Sequence, residues 1–243
     1  MYRFLLSPRW VATSLVLAAI AILFVALGLW QLRRLEERRF ENFVGEARFQ
    51  DVAVDLEILL AGSSPGDLEY RRATVTGSYD RKGEVLVRSQ VEQGVAGFHV
   101  VTPLLPATGG PAVLVNRGWV PLEMDSPPVA APPPGGEVEV GGWLRPGQSR
   151  PGVGPVDQPG SKVLSRVDID LISQQLGYDL APVFMVAIDG GEGGLPIPAP
   201  PPAFEDEGPH LAYAVQWFAF AAIGLIGYGF LVRRRALGSA SGR

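Results

Sequence analysis

The sequence predicts an α+β membrane protein in which two transmembrane helices flank a β-rich domain that lies outside the cytoplasm. Three observations lead to this fold class. Two long apolar runs, at 10–32 and 211–232, lie near the ends of the 243-residue chain. Between them, short segments rich in β-branched and aromatic residues alternate with glycine- and proline-rich turns. One segment of that middle part has the start and stop signals of a short helix.

The first apolar run follows Arg3 and Arg9 and is either a secretory signal peptide or a retained helix. A signal peptide has an apolar core of about 7–15 residues. This run is longer, and it continues through Leu29–Leu32 beyond the small residues near Gly28 that imitate a cleavage site. We therefore predict a transmembrane helix at 10–32, followed by a membrane-proximal helical extension at 33–50.

The second apolar run contains no charged side chain from Leu211 to Val232. As a helix it is about 33 Å long, enough to cross a hydrocarbon core of roughly 30 Å. The arginines at 233–235 predict that the following side is cytoplasmic, with 233–243 as a basic tail. If the domain at 51–209 lies wholly outside, the protein is a multi-pass protein of the plasma membrane with both termini in the cytoplasm.

Four arginines after the first run conflict with the charge rule, since the predicted topology places them outside: Arg33, Arg34, Arg38 and Arg39. One interpretation is a solvated helix face, on which glutamates pair with the arginines at spacings such as Arg34–Glu37. The other is a docking surface for an acidic partner or for anionic groups. The sequence leaves both open.

The topology brings two distant segments to the same outer membrane depth. Positions 27, 31 and 34 share a face of the first helix, and positions 210, 213 and 217 share a face of the second. We expect Gln31 and Gln216 to hydrogen-bond across the pair, because polar groups at this depth need partners. The resulting membrane-mouth cluster consists of Gly28, Trp30, Gln31, Arg34, Tyr213, Gln216 and Trp217.

His210 opens the second helix beside this cluster. It is either an interfacial histidine, hydrogen-bonded to lipid headgroups or to the domain, or an axial ligand for haem iron. A single histidine supplies one axial position only.

The middle of the chain predicts six strands and one short helix. The strands lie at 70–79, 84–90, 98–104, 113–119, 137–144 and 183–188, and the first two are predicted to form a hairpin around 80–83. The helix is predicted from Asp168 to Gly177. Glycine- and proline-rich loops lie at 127–136, 146–160 and 190–202. The simplest architecture is an antiparallel sheet that closes towards a barrel.

Composition excludes several classes of function. The chain has no cysteine, which removes disulfides, thiolate metal sites and covalent haem attachment. With two histidines in all, a conventional multi-histidine metal site is not expected, so no metal is predicted beyond haem iron. The formal net charge of −4 gives no basic surface for nucleic acid.

No catalytic constellation is visible, so a membrane-tethered enzyme is the least favoured class. His99 alternates with apolar neighbours and is predicted to be an ordinary strand residue. Asn116, Arg117, Gly118 and Trp119 end a hydrophobic strand before Pro121, and this motif predicts a structural turn. Phosphate-loop and zinc-helix patterns do not occur.

Four motifs, in this order along nearly the whole chain, resemble the surfeit-locus (Surf/Shy) family of cytochrome c oxidase assembly factors. They are Gly28-x-Trp30-Gln31-x-x-Arg34; Tyr70-Arg71-Arg72 leading to Gly77; Val115-Asn116-Arg117-Gly118-Trp119-Val120-Pro121; and His210-Leu211-x-Tyr213-Ala214-x-Gln216-Trp217-Phe218. Each motif is short, and the combination is specific. The long proline- and glycine-rich insertions depart from the family pattern, and the cysteine-free composition favours a bacterial member.

The resemblance implies a two-helix membrane protein that acts in maturation of the haem-copper oxidase, at insertion of haem a into the catalytic subunit. It implies transient binding of haem a with His210 as the candidate axial ligand, and haem-copper oxidase subunits as partners. An alternative is a permanent accessory subunit of an oxidase or a respiratory supercomplex.

Overall fold

The computed structural model describes residues 3–148, 157–190, 194–204 and 206–238. Parts of two predicted loops (149–156 and 191–193) and the last five residues of the predicted basic tail lie outside this range. The chain divides into two compact units, one of 1–43 with 204–243 and the other of 44–203.

The first unit is a pair of long antiparallel helices. Helix α1 (Pro8–Gln50) runs without a break through the first predicted transmembrane segment and its extension. The last helix, α4, spans His210–Gly238. Both are long and apolar enough to cross a membrane. Their antiparallel pairing follows from contacts along their length, with Ser14 bonded to Tyr228, Gln31 to His210 and Arg39 to Glu207.

A heptad-like seam joins the two helices. Among the less exposed positions are 14, 17, 21, 24, 28, 31 and 35 of α1 and 210, 214, 217, 221, 224 and 228 of α4. Alternating steps of three and four residues are the spacing of a coiled-coil seam. Leu35, Ala214 and Ala221 are the most buried apolar side chains among these positions, at 4%, 1% and 5% exposure. The predicted faces are therefore partly wrong, because Arg34 and Tyr213 lie beside the seam rather than on it.

The second unit contains the predicted β-rich fold, with two short helices between its strands. In chain order its elements are β1 (Val54–Asp55), α2 (Leu56–Gly62), β2 (Arg72–Tyr79), β3 (Val85–Glu92), β4 (Val95–Pro106), β5 (Ala112–Pro121), β6 (Glu137–Pro146), β7 (Val163–Leu164), α3 (Ile169–Ser173) and β8 (Leu180–Ala187). Strands β2, β6, β8, β5 and β4 follow one another as neighbours, and β4 pairs back to β2. This closure makes a five-stranded barrel and confirms the barrel-like alternative. The sheet is mixed, since β5 and β8 are parallel.

The predicted hairpin between the first two strands is wrong. Strand β3 pairs with β4 and β7, whereas β2 pairs with β1, β4 and β6. The β3–β4 hairpin turns at Gln93 and Gly94, whose φ angles of 48° and 83° suit a tight hairpin turn. Residues Arg81–Gly83 instead form a 3-10 turn, in which the Asp80 carboxylate accepts a bond from the Lys82 amide. This turn changes the direction of the chain, but the strands on either side of it, β2 and β3, do not pair with each other.

The helix predicted at 168–177 is present but shorter. Asp168 caps α3 by accepting a hydrogen bond from the Leu171 amide at 3.1 Å, as an acidic start predicts. A second short helix, α2, was not predicted. Asp55 caps it in the same way, through the Glu57 amide, and it buries Leu56 and Leu59.

Two apolar layers lie on opposite faces of the barrel strands. On β8, Val183 and Met185 belong to the cluster that receives side chains from all five barrel strands. Phe184 and Val186 belong to a second cluster with Trp143, covered by α3 and its neighbours. This alternation is the period of two that a strand requires. The second cluster borders a cavity, which Trp143, Phe184 and Val186 help to line.

Candidate functional site

The first candidate site is the hydrogen bond that joins the two helices at the start of α4. His210 Nδ1 lies 2.9 Å from Gln31 Oε1. A carboxamide oxygen only accepts, so Nδ1 carries a proton, and in the neutral imidazole Nε2 then keeps its lone pair. No hydrogen bond within the described parts of the chain uses His210 Nε2. The arrangement therefore presents a half-buried imidazole with one nitrogen fixed and the other available.

Aromatic packing supports this bond one to two helical turns away. The Trp217 ring lies 5.5 Å from that of Phe24 and 6.0 Å from that of Phe220, measured between centroids. Gly28 allows the helices to approach, because a Cβ at this position would lie 2.6 Å from Cε1 of Phe218. The glycine and the aromatic residues thus hold the two helices at the separation that the Gln31–His210 bond needs.

The structure brings together only part of the predicted membrane-mouth cluster. Gly28, Gln31 and Trp217 lie with His210 along the seam. Trp30 and Tyr213 remain about half exposed, at 52% and 47%. The predicted Gln31–Gln216 hydrogen bond is wrong, because the Gln31 carboxamide bonds to His210 and Gln216 is exposed. Position 216 is adjacent to the seam residue 217 and so points about 100° away from it.

The arginines after the first apolar run form mainly a paired helix face. Arg34 bonds to Glu37 at 2.6 Å, and Arg38 lies 3.5 Å from Glu41. Arg39 makes two bonds to the Glu207 carboxylate, at 2.7 and 2.9 Å. The hydrogen bond and charge of Arg39 lower the pKa of Glu207. The same bond and charge raise the pKa of Arg39. These contacts favour the solvated-face interpretation.

The link from Arg39 to Glu207 was missed by sequence reasoning, which considered pairs within one helix. Asn42 adds a second link, donating to the Asp206 carbonyl oxygen at 3.1 Å. The acidic run just before α4 was the available signal, because an antiparallel pair places it beside the basic end of the first apolar run.

The motif at 116–119 is not a turn. All four residues lie within β5, and Arg117 is the extra residue of a bulge opposite Val100 and Val101. Gly118 has a φ angle of 120°, and a Cβ there would collide with the Ile197 carbonyl oxygen. Only glycine allows both the bulge conformation and that close approach. The turn prediction is wrong because these polar residues make their contacts from within the sheet.

Arg117 forms a buried polar centre with Glu84. The two side chains are 4% and 1% exposed, and Nη1 lies 3.9 Å from Glu84 Oε2. The Glu84 carboxylate accepts bonds from Thr102 Oγ1 at 2.8 Å and from the Val129 amide at 2.7 Å. Arg117 Nη2 donates to the Ala131 carbonyl oxygen at 2.5 Å. These bonds tie the segment 129–131 to the barrel, which is a structural role.

Burial also shifts the pKa values of groups at this centre. It lowers the pKa of Arg117, and the charge of Glu84 opposes that change. Burial raises the pKa of Tyr79 to about 12, and the Tyr79 ring centroid lies 5.9 Å from the Arg117 guanidinium.

His99 lies on β4, where a strand residue was predicted, and its Nδ1 is 3.1 Å from Asn116 Nδ2.

The chain is similar to proteins of one family along most of its length. The model of the SURF1 family matches residues 18–222. An uncharacterized SURF1-like protein of Mycobacterium tuberculosis is 33% identical over 233 residues, covering 93% of this chain and 84% of the relative. A SURF1-like protein of Monosiga brevicollis is 29% identical, over 93% of this chain and 89% of its own.

A shorter match is to the yeast cytochrome oxidase assembly protein SHY1, from Saccharomyces cerevisiae. It is 28% identical over 109 residues, which covers 45% of this chain and 28% of the yeast protein.

Proposed function

The chain belongs to the SURF1 family, and from that premise we propose that it acts in cytochrome c oxidase assembly, at insertion of haem a into the catalytic subunit. The family match and the assembly role stated in the name of the yeast relative support the assembly role proposed here. The Gln31–His210 bond is the observation that carries the haem step. The role requires binding and positioning, and no reaction by the side chains of this chain.

His210 has the chemistry of an iron ligand. A neutral imidazole ligates iron through the nitrogen that bears a lone pair, and its other nitrogen commonly donates to an oxygen. Here Gln31 supplies that oxygen at 2.9 Å. If haem a binds here, His210 would hold its iron, and a single histidine would suffice for transient holding because the macrocycle would supply the other ligands. Gln31 keeps the imidazole in the required tautomer and orientation.

The membrane placement that this role needs is also part of the proposal. Two helices of the chain can cross a membrane by length and composition. We place both termini in the cytoplasm and 44–203 outside, because Arg233, Arg234 and Arg235 follow the apolar part of α4 whereas Asp206 and Glu207 precede it. Apolar side chains such as Ile22, Ile223 and Phe230 are 66–69% exposed. They are suited to contact lipid or helices of an oxidase subunit in the plasma membrane.

Deleting the gene tests the assembly role. We expect oxidase polypeptides to remain while haem a in the isolated oxidase falls, measured as haem absorbance per catalytic subunit. Normal haem a content in the deletion strain would contradict the proposal.

Purification in mild detergent tests the site and the alternative of a permanent subunit. We expect haem a to accompany the protein from cells that make it, and the His210→Ala variant to lose it. Haem a that persists in this variant would overturn the ligand assignment. Stoichiometric oxidase subunits or a supercomplex in every preparation, at all growth stages, would replace the transient role with that of an accessory subunit.

A further inference from the structure

A cavity of about 380 Å³ opens on the outer face of the barrel, entirely within the unit 44–203. Strands β3, β4, β5, β6 and β8 contribute to its wall, and the proline-rich segment around 199–203 forms another side. Its volume falls in the range of small-molecule sites. The residues that line it do not include any of the helix-pair site described above.

The charge of this cavity is unbalanced. Among the residues that the structure describes, Arg145 is the one arginine or lysine that lines it, and no aspartate or glutamate does so. The Arg145 Nε atom is buried and has no hydrogen-bond partner in the part of the chain that the structure describes. No ion pair with a described carboxylate uses this guanidinium. A buried donor of a cationic group without a partner is costly, so an anion in the cavity would satisfy it.

The neutral polar groups of the wall provide further donors. Asn116 Oδ1 accepts a bond from the Gly118 amide at 3.0 Å, so its Nδ2 faces His99 Nδ1 at 3.1 Å. Since Asn116 Nδ2 only donates, His99 Nδ1 accepts and the ring proton resides on Nε2. Burial lowers the pKa of His99, which keeps the imidazole neutral at neutral pH. Arg145 is therefore the one charged group among the described residues that line the cavity.

Backbone conformation at two places is also adapted to the cavity. Val87 and Gln90 both line it, although residues three apart in a regular strand point to opposite faces. A bulge in β3 between them, with Ser89 at a φ angle of 63°, brings Gln90 to the same side. Tyr70 lines the cavity with a φ angle of 66°. Such conformations in non-glycine residues concentrate at ligand sites.

We propose that this cavity binds a small organic carboxylate with a flat apolar body. A carboxylate matches the planar fork of the Arg145 guanidinium, and a single cation fits a singly charged anion better than a phosphate monoester. The body would lie against Trp143 and Phe184, the two largest apolar side chains of the wall. The proposal does not depend on haem binding by the helix pair.

A matched pair of probes tests the charge requirement. The full-length protein in detergent micelles is titrated with 4-(trifluoromethyl)benzoate and with 4-(trifluoromethyl)benzamide, and ¹⁹F NMR line widths are compared with those in empty micelles. We expect the benzoate to bind about tenfold more tightly than the amide, which shares its shape and lacks its charge.

Three variants locate the binding. Arg145→Gln is expected to reduce benzoate affinity about tenfold, to the level of the amide. Arg81→Gln removes the same charge from an exposed position outside the cavity, and should change affinity less than twofold. Ala203→Trp fills the cavity while leaving Arg145 in place, and should abolish binding of both probes. Thermal unfolding shows whether each variant is folded.

Equal affinity for benzoate and amide would overturn the proposal, as would binding no stronger than in empty micelles. An Arg145→Gln variant that binds benzoate as well as Arg81→Gln would do the same. If Arg145→Gln is unfolded, Ala203→Trp decides, and benzoate binding that persists in this folded variant would refute the cavity as the site.

Discussion

The carboxamide oxygen of Gln31 lies 2.9 Å from Nδ1 of His210, and the two residues are 179 positions apart in the sequence. This bond connects the two helices and sets the tautomer of the only histidine in its unit. It converts two separate motifs into one site. Substitutions of the residues that position His210 therefore test the site as directly as substitutions of His210 itself.

Replacing Gln31 by leucine should weaken haem a binding while leaving His210 in place. Loss of an oxygen that orients a ligating histidine typically reduces affinity about 10–100-fold. Gln216→Leu is the matched control, because Gln216 is exposed and makes no hydrogen bond to His210. Haem a per protein, measured by absorbance after purification, reports the result. Equal losses in the two variants would show that the bond has no specific role.

Gly28→Leu should weaken the helix pair, since even a Cβ at this position comes within 2.6 Å of the Phe218 ring. Overpacking of this kind costs about 1–3 kcal/mol. Gly227→Leu is the control, because Gly227 is exposed and has no other atom within 4 Å of an added Cβ. Thermal unfolding in detergent, with limited proteolysis, compares them. A wild-type unfolding temperature in Gly28→Leu would contradict the close approach.

The Arg117–Glu84 centre predicts strong coupling between two substitutions. Arg117→Met or Glu84→Leu alone leaves a buried charge without its partner, and we expect a loss of about 3–5 kcal/mol in the free energy of unfolding. The double variant should lose less than the sum of the two single losses. Denaturant unfolding of all four proteins gives the coupling energy. Additive losses would mean that the two charges do not interact.

His99 predicts a dependence of stability on pH. Burial lowers the pKa of folded His99 below the value near 6.5 of the unfolded chain. Protonation therefore favours the unfolded state, so the stabilisation is complete above the unfolded pKa and is lost as the pH falls through the folded pKa.

The measurement compares wild type with His99→Gln between pH 8 and pH 5. The difference in free energy of unfolding should shrink or reverse as the pH falls, because glutamine does not titrate. A constant difference across this range would contradict the burial argument.

Gly118→Ala should destabilise the β-unit by about 2 kcal/mol or more. The φ angle of 120° disfavours alanine, and its Cβ would meet the Ile197 carbonyl oxygen. Gly141→Ala, in a strand position with no atom within 4 Å of an added Cβ, is the matched control. Chemical unfolding monitored by tryptophan fluorescence compares them. Similar stability in the two variants would refute the strain at 118.

Local patterns predicted much of this fold. The apolar runs, six strand segments and the Asp168 cap all depend on neighbours within a few residues, and each corresponds to an observed element. The heptad spacing from Ser14 to Leu35 was also present in the sequence. A period of 3.5 residues counted from Ser14 reaches Leu35 and passes over Arg34, so this spacing excludes Arg34 from the helix seam.

Long-range pairing depended on the tertiary structure. Whether β2 pairs with β3 or with β6 is not encoded in either strand, because both alternate in a similar way and the choice depends on where the barrel closes. The Asn116–Trp119 motif was predicted to be a turn for the same reason: the residues that its polar side chains contact, Glu84, Ala131 and His99, lie elsewhere in the sequence.

The sequence by itself determined that two apolar helices flank a β-rich domain, and it placed His210 at the start of the second helix. Only the tertiary structure decided that Gln31, rather than Gln216, bonds to that histidine. The physical reason is geometric: residues on one helix differ by about 100° in direction per position. Which of two glutamines faces a partner is therefore decided by how the helices pack.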